Sequence, residues 1–167
     1  MSNGAERAET TFLVSVTGHE LIASARYIRL GDVVIKVRGW KCRDLPSLMS
    51  EFGAAFQFFD GFGESWHALQ ECMSYLDEWL PGEGYVVVVE RADELLRDAP
   101  DELRWFVAVM NDVGRWWSAP ITGNGRFDRP ARPFHVVLEL AGGVGLGRFE
   151  ELGVVASAWC DSHSAGG

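Results

Sequence analysis

The sequence predicts an α/β domain, a three-stranded parallel sheet packed by helices, with extra segments at its N- and C-terminal ends. Three observations predict it. Residues 33–37, 85–89 and 134–140 are mostly apolar runs of strand length, and the β-branched run at 33–37 has the pattern of a strand buried in a parallel sheet. Between them lie stretches whose apolar residues recur every three or four positions, as on the inner face of a helix. Strands separated by helices need crossover connections, and crossovers make neighbouring strands parallel.

The elements follow in order. Residues 1–10 are polar and read as disordered, 12–16 as a short strand, 17–20 as a turn and 26–30 as a second short strand, with Gly31-Asp32 as a break. Residues 1–32 therefore form an N-terminal extension, 33–140 the main domain and 141–167 a Gly-rich C-terminal extension. After the first domain strand, Asp44 is placed to cap a helix with Pro46 in its first turn, where a missing N–H costs nothing. Leu45, Leu48, Met49, Phe52 and Phe56 make its inward stripe, and Gly53 weakens its middle.

The next stretch organises the chain. Phe58, Phe59, Asp60, Gly61, Phe62, Gly63 and Glu64 form a tight aromatic loop, and Ser65 is a good N-cap for a helix over about residues 65–80. Trp66, Leu69, Met73, Leu76 and Leu80 share its inner side; His67, Glu71, Ser74 and Glu78 share the outer one. Pro81-Gly82 stops it. The valine run at 86–89 is the most strand-like and belongs in the interior of the sheet. Residues 93–96 suggest a short helix. Pro100-Asp101-Glu102 opens a longer one with Leu103, Phe106, Val107, Met110, Val113 and Trp117 on its apolar side. Residues 120–133 form a loop, 134–140 the last domain strand and 154–156 a strand-like end, before a polar tail at 161–167.

Composition narrows the function. The 167 residues are 47% apolar and 23% charged, which suits one globular domain. A net charge of −9 argues against nucleic-acid binding, where phosphates must be neutralised, and favours a basic partner drawn in electrostatically. Residues 1–9 lack a basic segment followed by an apolar run, and the valine run is too short to cross a bilayer, so neither a leader nor a membrane span is expected. Cys42, Cys72 and Cys160 are odd in number and widely spaced, which fits reduced thiols in the cytoplasm. No Cys/His pair has zinc spacing.

Two catalytic readings fail on the residues. The glycines at 142, 143, 145 and 147 lack the spacing of a phosphate loop, and no Walker lysine follows; they read as a flexible linker. His67 and Glu71 could act as base and orienter, but without a nucleophile nearby they read as a mild i,i+4 pair. His19, His135 and His163 are isolated, and His135 reads as structural. No metal, cofactor or enzymatic activity is expected.

The stretch from Phe62-Gly63-Glu64-Ser65-Trp66-His67-Ala68-Leu69 to Gln70-Glu71-Cys72, entered from Phe58-Phe59-Asp60, resembles the signature loop and helix of barstar-type ribonuclease inhibitors. The likeness continues in element order from about residue 33 to 140. The chain departs from it at Ser65, where the family has Asn, at His67, where it has an acidic residue, at Glu71, one methylene longer than the family's Asp, and at Gln70, an aromatic contact position. The resemblance implies an immunity-type inhibitor that plugs the active site of a basic ribonuclease or related toxin. Its contact residues would be Phe59, Gly61, Phe62, Gly63, Glu64, His67, Gln70, Glu71, Ser74 and Asp112. An acidic helix can occupy a phosphate-binding cleft because its carboxylates pair with arginine as phosphate does. The alternative is the same fold used as an interaction module with no nuclease partner.

Overall fold

The computed structural model describes residues 12–15, 30–141, 144–154 and 157–158. One parallel sheet carries strands β1 (Phe12–Ser15), β2 (Asp32–Arg38), β3 (Gly84–Glu90), β4 (Phe134–Glu139) and β5 (Ser157–Ala158), in the order β2-β3-β4-β1-β5. The helices are α1 (Leu45–Ala55), α2 (Trp66–Ser74), α3 (Leu103–Ser118) and the four-residue α4 (Gly147–Glu150). The sheet thus has four strands, plus a two-residue fifth, where the sequence predicts three. Backbone pairing adds β1 alongside β4, in register from Phe12 opposite Val136 to Ser15 opposite Glu139. The strand expected at 26–30 lies outside the described residues apart from Leu30, which is in a turn.

Position in the sheet sets burial. β3 is flanked on both sides and buried from Gly84 to Val89. β2 is an edge strand, and only Val37 in it is fully buried, so the reading of 33–37 as a buried strand is corrected. Exposed Lys36 and Arg38 on that edge discourage pairing with other strands. One sheet face, through Val37, Tyr85, Val87, Val89, Phe134, Val136 and Leu138, packs against the helices in the main core. Leu13, Val86, Val88 and Val137 form a smaller cluster on the other face.

The helices begin where the sequence places them. Asp44 accepts from the Ser47 N–H at 2.9 Å, and the Ser47 hydroxyl in turn accepts from the Asp44 N–H at 3.2 Å, a reciprocal capping box. Ser65 accepts from the Ala68 N–H at 3.2 Å. The long α3 follows a 3-10 turn over Pro100–Glu102 and stops at Ser118, because Ala119 precedes Pro120 and is forced into an extended conformation.

α2 is shorter than predicted, and the reason lies far along the chain. A helix leaves its last carbonyls without partners. Here the Met73 carbonyl accepts from the Trp117 indole N–H at 2.9 Å, and the Ser74 carbonyl accepts from the Trp116 indole N–H at 2.7 Å. Tyr75 then leaves helical geometry at φ −123°, ψ 27°, and a single 3-10 turn follows over Leu76–Glu78. Two indoles of α3 therefore supply the end of α2.

The Gly-rich segment is not the linker expected of it. Phe149 and Val154 are buried in the main core, and Leu146 packs against it. The Arg148 guanidinium donates to the carbonyls of Ala92 and Leu95. A short strand lies at Ser157–Ala158; of the strand expected at 154–156 only Val154 is among the described residues, and it is outside any strand.

Candidate functional site

The loop between α1 and α2 is built from aromatic stacking and two left-handed residues. α1 ends with Gln57 at φ 56°, the Gln57 N–H reaching the Ala54 carbonyl at 3.3 Å and the Phe58 N–H reaching Gly53 at 2.9 Å. That is a Schellman ending with glutamine where glycine is usual. Phe58 then stacks on Phe56 at 5.7 Å, tilts against Phe62 at 4.8 Å and meets Trp79 edge-on at 6.1 Å. The Trp79 indole N–H donates to the Phe56 carbonyl at 2.9 Å. Gly61 sits at φ 95° in the turn closed by the Phe62 N–H on the Phe59 carbonyl, a backbone state that other residues avoid. Phe59 projects from this frame, 63% exposed.

Loop and helix together line a groove of about 600 Å³. Its walls include Phe59, Gly61, Phe62, Gly63 and Glu71, half of the contact residues expected from the sequence, joined by Tyr75, Glu78 and Trp79. Leu69 is fully buried and Glu71 exposed, so the orientation of α2 is the predicted one. Among the described residues, no ion pair engages Glu64, Glu71 or Glu78. Burial, and then the neighbouring charge of Glu71, push the Cys72 thiol up, leaving it an apolar filler beneath the groove.

The other expected contacts lie around the groove or are engaged elsewhere. Glu64 and His67 are exposed on the loop and first turn of α2, and Gln70 is half-buried. Ser74 donates its hydroxyl to the Gln70 carbonyl at 2.8 Å. Asp112, on α3, pairs with Arg115 and is not a free carboxylate. Tyr75 and Trp79 were missed by the sequence reading, although Tyr75 follows Glu71 by one turn and Trp79 follows Tyr75 by another; tracking only the polar residues of that face hid them.

A family model described as Barstar (barnase inhibitor) matches residues 33–139. The chain belongs to the barstar family. No curated protein matches it. The match covers β2 through β4 with the loop, α2 and the groove, so this barstar-family chain carries its β1, α4 and β5 outside the matched stretch. Members of the family are inhibitors and not enzymes. Among the described residues, no group of three or more His, Cys, Asp and Glu side chains could hold a metal ion, and no helix is long and apolar enough to cross a membrane.

Proposed function

We propose that this chain is a cytoplasmic immunity-type inhibitor that binds a basic ribonuclease, or a related nuclease toxin, and blocks its active site with α2 and the aromatic loop. The observation that carries the reading is the set of exposed carboxylates, Glu64, Glu71 and Glu78, that have no cation partner among the described residues and lie in or beside an aromatic-lined groove. A basic cleft made for phosphate would supply the missing cations. The loop is fixed by its own stacking, so little order has to be created on binding. The proposed partner-facing set is Phe59, Gly61, Phe62, Gly63, Glu64, His67, Gln70, Glu71, Ser74 and Asp112. Neither nucleic acid nor a membrane is a partner in this reading.

The test has two steps. The partner is captured from the source cell with the full chain as bait and identified by mass spectrometry, and RNA cleavage by that partner and by purified barnase is measured against increasing inhibitor. Stoichiometric loss of cleavage, abolished by Glu71→Ala, is expected. Capture of a partner without nuclease activity, bound equally by wild type and Glu71→Ala, would replace the inhibitor reading with the interaction module.

A further inference from the structure

We propose that Tyr75 and Trp116 form a shelf for an arginine side chain, extending the binding surface from α2 onto α3; the ownership of that arginine by a nuclease rests on the reading above, and the shelf itself does not. Tyr75 is 44% exposed and lines the groove; Trp116 is 38% exposed beside it. Their ring centroids lie 5.8 Å apart at 61°. The indole of Trp116 is tied to the Ser74 carbonyl, so one wall of the shelf is set before anything binds. Rigid aromatic rings that lose little freedom on contact are the side chains that anchor interfaces.

Charge selects the occupant. Glu71 and Glu78 lie one turn before and after Tyr75 and share its groove. Neither has a cation of its own among the described residues. A cation over the Tyr75 ring would gain the ring face and these carboxylates together. The Trp116 ring already has the Arg129 guanidinium 5.7 Å from its centre, and Arg129 donates to the Trp116 carbonyl at 2.9 Å. A second cation is therefore directed to the Tyr75 side. A planar guanidinium can stack on the ring while its edge pairs with carboxylate; an ammonium offers only a point charge. The shelf thus prefers arginine to lysine.

The test uses the full chain and two capped peptides, triarginine and trilysine, with binding followed by NMR at the indole N–H of each tryptophan and at the Tyr75 ring. Triarginine is expected to shift Tyr75 and Trp116 and to bind about threefold to fivefold more tightly than trilysine. Tyr75→Ser should remove that preference. Tyr75→Phe should keep it, and Glu64→Gln should keep it at lower overall affinity. Equal binding of the two peptides, shifts confined to Trp79, or a Tyr75→Ser variant that retains the preference would overturn the proposal. Loss of the ribonuclease reading would show differently: no inhibition of any nuclease, with the arginine preference of the peptides intact.

Discussion

Glu51 and Glu71 are the same residue on consecutive helices, and the fold treats them in opposite ways. Glu51 is 9% exposed and saturated: the Arg38 side chain donates to its two oxygens at 2.7 and 2.8 Å, and the Arg38 backbone N–H adds a third bond at 3.1 Å. Glu94 is treated likewise, with Arg43, Arg91 and Arg97 around it. Glu71, with Glu64 and Glu78, faces solvent without a cation among the described residues. A carboxylate already matched inside the molecule holds α1 to the sheet edge and has nothing left to offer outside. One left unmatched contributes little to the fold and keeps its full charge for a partner. Net charge alone cannot distinguish the two groups, because both count equally toward −9.

The sharpest way to break this division is to exchange the expected losses. Glu71→Ala should weaken partner binding by about 2–5 kcal/mol, seen as a faster off-rate, a scale drawn in part from the barnase–barstar pair itself and so borrowed from this family. Its thermal midpoint should match wild type. Glu94→Ala should do the reverse, costing about 0.2–1 kcal/mol of stability for each ion pair lost with the half-exposed Arg43, Arg91 and Arg97, with binding intact. A Glu71→Ala protein that melts early and binds normally would reverse the assignment.

Acid should separate the groups next. The hydrogen bonds and charge of Arg38 hold the Glu51 carboxyl below its ordinary value of 4.5, against the effect of burial. A carboxyl lowered in the folded state stabilises fully above its unfolded value and loses that contribution as pH falls through the folded one. The stability gap between wild type and Glu51→Gln should therefore narrow from pH 6 to pH 3, as thermal melts would record. A constant gap would mean that Glu51 acts by packing alone. The smallest effect is reserved for the rim: Glu64→Gln should slow association a few-fold at low salt and match wild type at high salt, which rate measurements at two ionic strengths would show.

Much of this was legible in the sequence because it is written locally. The valine run of β3, the Asp44 and Ser65 caps and the Leu69/Met73 stripe each declare themselves within a few residues, and the structure keeps them. Phe59, Gly61, Phe62, Gly63 and Glu71 come together as expected because a short loop running into a capped helix leaves them no other place. What was not legible depends on distant partners. The end of α2 is decided by Trp116 and Trp117, more than forty positions away. β2 looks like a buried strand until its place at the sheet edge is known. Asp112 looks free until Arg115 is seen to hold it. The Gly-rich segment looks idle until Phe149 is found in the core.

The placement of β1 also bears on how the chain is made. β1 leaves the ribosome early, yet its partner β4 follows about 120 residues later. At ordinary synthesis rates that is roughly 6–25 s during which Phe12 and Leu13, both buried at the end, have nowhere to go. Until β1 docks, β4 presents an apolar edge on which another copy could add a strand. Docking of β1 is thus the step that covers the β4 edge and guards against self-association. Removing residues 12–15 would be felt first as loss of soluble yield, before any change at the groove.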